Sequence, residues 1–162
     1  MFGISPAGWV HTIGSLPAIP AAAYMFAKAG RIVPRSKAGT IYFISMLIGC
    51  VSILPIAKEP VAYVFGVLTL AFLLTGYGLA RNPTQGGAKR YIETICLTLT
   101  AFLLMVPTTT EILTRVPDGH PIASSLQSPI LHAAQGSLLV FLIIGVIAQV
   151  IHLRRQGRLR RG

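Results

Sequence analysis

Pro129-Ile-Leu-His-Ala-Ala-Gln-Gly-Ser-Leu-Leu-Val-Phe-Leu-Ile-Ile-Gly-Val-Ile-Ala-Gln-Val-Ile-His-Leu153 carries no formal charge and runs directly into Arg154-Arg-Gln-Gly-Arg-Leu-Arg-Arg-Gly162. About twenty apolar residues at 1.5 Å per helical residue match the roughly 30 Å hydrocarbon core of a bilayer. A backbone in lipid must satisfy its own hydrogen bonds, and this stretch lacks the alternation of a strand. It therefore reads as a transmembrane helix with a cationic anchor. Working toward the N-terminus, the pattern recurs at about 91–113, 61–80, 39–57 and 8–27. The expectation is an all-α polytopic bundle of five transmembrane helices. It forms a single transmembrane domain over 1–162, with a basic tail at 154–162.

Composition leaves little room for anything else. Of 162 residues, 53% are hydrophobic, fourteen are Lys or Arg and four are Asp or Glu. The net charge of +10 raises the question of nucleic acid, but the positions of the charges answer it. Twelve of the fourteen basic residues fall in three places: Lys28, Arg31, Arg35 and Lys37; then Arg81, Lys89 and Arg90; then Arg154, Arg155, Arg158, Arg160 and Arg161. Only Lys58 and Arg115 lie on the other side. Short loops rich in Lys and Arg stay cytoplasmic, so the N-terminus is expected outside and the C-terminus inside a bacterial cytoplasmic membrane. The five tail arginines serve as a topology anchor that also touches anionic lipid headgroups, each worth about 1 kcal/mol near the surface.

Ala21-Ala22-Ala23 resembles a signal-peptidase site, but no positive region precedes the first apolar run and Lys28 follows it. That order is the reverse of a cleaved signal, so the first helix belongs to the mature protein. Cys50 and Cys96 lie inside spans without metal-knot spacing and read as small apolar side chains. Trp9, Tyr63 and Tyr91 fall near span ends, as interfacial belts require. Tyr24, Tyr42 and Tyr77 read as packing or anchoring residues.

Pro17 and Pro20 should bend the first helix near its middle. Gly14, Ala18 and Ala22 give it a face on which another backbone can approach closely, with His11 and Ser15 on or beside that face. Lys58-Glu-Pro60 is so short that the second and third helices must be antiparallel neighbours. The outer loop from about 114 to 128 is the longest and is the expected place for a lid or docking surface. A faint echo links Ser5-Pro6…His11…Gly14-Ser15 with Ser128-Pro129…His132…Gly136-Ser137, which duplication or common helix-start chemistry would explain equally.

Polar groups within a membrane are costly and are candidate functional groups by default. His11, Ser15, Thr108, Glu111, His132 and Gln135 gather in the outer half, with Pro107 loosening the helix beside them. The cluster supports three readings. His11 and His132 could be axial ligands of a b-type haem between the first and last helices, for electron transport. Glu111 with a histidine could form a proton relay or a small-solute site, since histidine changes charge near neutral pH. Alternatively, all of these groups hydrogen-bond one another or the backbone and fix helix packing. The inner half offers mainly Glu93, Thr94 and Thr98, with Glu93 placed to pair with Arg90 or Lys89. No nucleophile–base pair, glycine-rich phosphate loop or metal triad occurs, so the sequence points away from an enzyme.

His11, Gly14, the Arg31–Lys37 turn, Gly39 and Tyr42 together resemble the opening of a large family of uncharacterised bacterial membrane proteins with four core helices. The resemblance covers about 8–113 and makes the fifth helix an addition. The family carries His or Arg directly before the glycine and a His-x-x-Trp-Met stretch entering the fourth helix; this chain has Lys37-Ala38 and Lys89-Arg-Tyr-Ile instead, which removes any ligand role attributed to the missing histidines. The expectation is a small accessory or scaffold subunit that packs against other membrane subunits or copies of itself. A haem electron carrier and a proton- or solute-handling protein are the alternatives.

Overall fold

A computed structural model describes residues 5–57, 59–80, 87–117 and 119–159, and among these every regular element is a helix. In order they are α1 (Pro6–Ser15), α2 (Ala18–Ala29), α3 (Lys37–Ser52), α4 (Pro60–Leu79), α5 (Ala88–Arg115) and α6 (Pro129–Leu159). By length and composition, α4, α5 and α6 can each cross a membrane.

Local chemistry sets the boundaries. Ser5 caps α1 by accepting from the Gly8 amide at 3.1 Å, and Pro6 takes the first helical position, where its missing N–H costs nothing. The expected single bent helix over 8–27 is instead two helices. Pro17 cannot donate to the preceding turn, so the ladder stops there and restarts at Ala18. Gly30 closes α2 in the left-handed conformation (φ 65°), its N–H donating to Phe26 O at 2.9 Å. Ser36 caps α3 through the Gly39 amide at 2.9 Å. α3 ends at Ser52 and gives way to turns, short of the expected 57, because Pro55 lacks a donor and disfavours helical backbone at Leu54. The sixteen residues of α3 rise about 24 Å. α5 and α6 run past their expected ends, and the basic tail continues α6 as helix to Leu159.

Packing follows a chain of neighbours: α1 and α2 against α3, α3 against α4, α4 against α5, α5 against α6, with a lighter α2–α5 contact closing the group. The core lies where these meet, around Ala18, Met25, Tyr42, Met46, Leu73 and Leu97. The small-residue face of α1–α2 is the one that lies against protein. Ala18 and Ala22 are buried, a Cβ on Gly14 would stand 2.5 Å from Ile48 Cγ2, and one on Gly49 would stand 3.1 Å from Ser15 Cβ. Polar locks reinforce the packing: Tyr42 Oη shares a hydrogen with Thr100 Oγ1 at 2.7 Å, and Tyr77 Oη donates to Gly39 O at 2.5 Å. Much of the remaining surface is apolar, with Val10, Val61, Ile144 and Phe141 all more than half exposed. On α6 alone Leu139, Phe141, Ile144, Ile147 and Ile151 are all exposed, an apolar helix surface that water-soluble monomers rarely present.

The loop between α5 and α6, read from the sequence as a lid or docking surface, is fastened to the bundle. Ala123 is buried and donates its N–H to Leu113 O at 2.8 Å, while Ile122 N donates to Val116 O at 3.3 Å. Those bonds return the chain to the end of α5 before Ser128-Pro129 opens α6.

Candidate functional site

The polar residues expected to cluster in the outer half form separate local pairs. His11 Nδ1 lies 2.9 Å from Ser52 Oγ, tying α1 to the end of α3. Ser15 Oγ donates back to His11 O at 2.8 Å, and Thr108 Oγ1 to Leu104 O at 2.7 Å, so both hydroxyls satisfy their own helices. Gln135 Nε2 donates to Thr110 Oγ1 at 3.1 Å and links α6 to α5. Glu111 forms an ion pair with Arg115 one turn on, and its carboxylate lies within electrostatic reach of His11. His132 is exposed on α6, a helix that packs chiefly on α5, whereas His11 sits on the α1–α3 contact. The two rings expected to share a haem therefore belong to different helix contacts.

A second polar group, at the opposite end, is more fully assembled. The first connector folds back over the bundle: Ile32 is buried, and Met25 Sδ accepts from Val33 N at 3.3 Å. This fold sets Gly30 and Arg31 above the start of α5. Arg31 Nη1 meets Glu93 Oε1 at 3.1 Å, so the partner of Glu93 is Arg31 and not the sequence-near Arg90 or Lys89. Gln149, buried on α6, accepts from Thr98 Oγ1 at 2.9 Å and donates to Gly30 O at 2.8 Å. One amide thus joins α6, α5 and the connector. Arg90 Nη2 donates to Gln156 Oε1 at 3.3 Å, and Gln156 Nε2 lies 2.8 Å from His152 Nε2. Connector, α5 start and α6 end are thereby gathered at one end of the molecule, and their basic residues come with them.

Between these elements lies a cleft of about 1020 Å³. Lys28, Arg31, Arg90 and His152 stand among its lining at the charged end, and Phe102, Met105, Leu138, Phe141 and Leu142 line the other. Thr94 also lines it; the residue is buried, and its Oγ1 has no hydrogen-bond partner among the described residues. Among those residues, no three His, Cys, Asp or Glu side chains converge as a metal site. The tail arginines divide: Arg154 and Arg155 are exposed on the last turns of α6, the backbone of Arg158 is helical, and Arg160 and Arg161 lie outside the described residues.

No family model, curated protein or solved structure matches the chain. Function must be argued from its own residues. Sequence reasoning found Glu93, Thr94 and Thr98 but passed over Gln149. The signal was a lone amide deep within the 138–151 apolar run, where an unsatisfied polar group is costly and implies a partner.

Proposed function

We propose that the chain crosses a bacterial cytoplasmic membrane five times, N-terminus outside and C-terminus inside, and serves as a small accessory or scaffold subunit of a larger membrane assembly. In this reading α1 and α2 make one broken crossing, and α3 makes a short one. The observation that carries it is the gathering of the first connector, the start of α5 and the end of α6 at one end through Arg31–Glu93, Gln149–Gly30 and Arg90–Gln156. Three basic segments far apart in sequence then share one face, as cytoplasmic retention of Lys and Arg requires. The accessory role is supported by where the interior polar groups go: Tyr42–Thr100, Tyr77–Gly39, Thr98–Gln149, Thr110–Gln135 and His11–Ser52 are contacts between helices or their connectors. Such locks hold a bundle together. α6 adds a long lateral face, with only 11% of its most apolar stretch buried.

Topology is tested by labelling whole cells with a membrane-impermeant maleimide, with the buried Cys50 and Cys96 contributing little background. Ser124→Cys should label in intact cells, and Lys89→Cys only after permeabilisation. Labelling of both in intact cells sinks the five-pass reading. The subunit role is tested by solubilising cells in mild detergent. The same membrane protein should migrate with this chain at fixed stoichiometry on native gels; migration as a lone chain under every mild condition refutes it.

A further inference from the structure

We propose that the cleft between α2, α5 and α6 holds one anionic phospholipid of the cytoplasmic leaflet, its phosphate at the Lys28–Arg31–Arg90–His152 end and an acyl chain along the apolar end. The inference rests on the five-pass reading and adds a ligand to it.

Charge selects the headgroup. Lys28, Arg31 and Arg90 bring three cations from α2, the connector and the start of α5, and Glu93 offsets one of them through Arg31, so this end keeps a net positive charge. Basic pockets between helices at the cytoplasmic surface favour anionic headgroups. Shape selects the tail. From Arg90 to Met105 the cleft follows α5 for fifteen residues, about 22 Å of helix, more than the roughly 15 Å depth of one leaflet's hydrocarbon. Along α6 it runs antiparallel, from Gln156 at the polar end to Leu138 at the apolar end. A free anion would leave the aromatic and aliphatic half uncovered, and a neutral quinone would leave the cationic rim unanswered. An anionic amphiphile satisfies both ends. A third, independent feature sits between them. The Thr94 hydroxyl is buried without a partner among the described residues, and a polar group in that state is costly unless something arrives to bond it. A phosphate or ester oxygen in the cleft would accept from it.

The cleft can be filled without disturbing the helices. Gly145 lines it, and a Cβ built there meets nothing within 4 Å. Gly145→Phe therefore places a ring in the space assigned to the acyl chain. The test uses the full chain, purified in mild detergent and stripped of lipid. It is then titrated with dioleoyl phosphatidylglycerol, dioleoyl phosphatidylcholine or sodium phosphate, and read by native mass spectrometry and thermal shift. One phosphatidylglycerol should be retained, phosphatidylcholine should not be, and phosphate alone should give no shift. Gly145→Phe should lose the retained lipid while keeping wild-type circular dichroism. Arg90→Gln should bind phosphatidylglycerol about fivefold more weakly, the effect of one basic contact near an anionic headgroup, and it keeps the test intact if the first variant does not fold. Arg115→Gln, at the far end of α5 from the cleft's basic rim, should retain the lipid. Equal retention of both lipids, an equal shift with phosphate alone, or retention unchanged by Gly145→Phe and Arg90→Gln would each overturn the proposal. Release of the chain by alkaline carbonate would instead sink the membrane reading, so the two failures are distinguishable.

Discussion

Gly39→Ala sets two rules against each other, and the structure decides between them. Intrinsic propensity favours Ala over Gly in a helix by about 1 kcal/mol, so from sequence alone the substitution in α3 should stabilise. The fold says otherwise. A Cβ at Gly39 would stand 2.8 Å from Pro34 C and O and closer still to Val33 O. Those atoms are backbone, fixed by the Ser36 cap and by the connector's hydrogen bond to Met25, and cannot rotate aside. The carbonyl of Gly39 also accepts from Tyr77, so a shift of α3 would strain the α3–α4 contact. Overpacking of a tight site costs about 1–3 kcal/mol, which exceeds the propensity gain. The net expectation is destabilisation centred on about 1 kcal/mol and reaching about 2 kcal/mol, or roughly a fivefold change in the unfolding equilibrium at the centre. The assay is equilibrium unfolding in mixed detergent–dodecyl sulfate micelles, followed by circular dichroism. The control is Gly136→Ala in α6, where nothing lies within 4 Å of the added Cβ and the change should be neutral or stabilising. A Gly39→Ala protein as stable as the Gly136→Ala protein would refute the reasoning.

Three further outcomes follow from named contacts. Gln149→Leu keeps the volume of α6 but removes both bonds of the amide to Thr98 and Gly30, so it should cost about 1–2 kcal/mol and speed amide exchange around Gly30 by mass spectrometry; unchanged exchange would count against the bridge. Tyr42→Phe and Thr100→Val, taken singly and together, should show a coupling of about 0.6–1.7 kcal/mol in a double-mutant cycle of unfolding, and strict additivity would show that the 2.7 Å contact does not hold α3 to α5. His11→Ala should lower stability by about 0.5–1 kcal/mol through loss of the Ser52 contact, while the visible absorption of the purified protein stays flat. A Soret band abolished by both His11→Ala and His132→Ala would favour the haem reading over the subunit one.

The surroundings of Glu93 show how a site can be half legible. Its type and depth marked it as functional or paired, but the nearest cations in sequence were the wrong partners. Arg31, 62 residues away, reaches it because the connector doubles back over Met25 and Ile32. Gln149 is similar: its amide implied a partner, while Gly30 and Thr98 could be named only once α6 was docked. The two candidate haem ligands pose a different case. His11 and His132 shared an expected depth, but depth along a helix says nothing about which helices touch.

The sequence by itself determined that the chain is helical, where its long apolar stretches lie, and which segments carry positive charge. Each of those follows from hydrophobicity, proline and charge read along one dimension. Tertiary structure alone decided that Arg31 answers Glu93 and that a basic-ended cleft opens between α2, α5 and α6. The physical reason is that a helix's apolar stripe specifies burial but not a neighbour. Neighbours are chosen by close packing of small residues and by single polar bonds, whose geometry exists only when all the helices are in place.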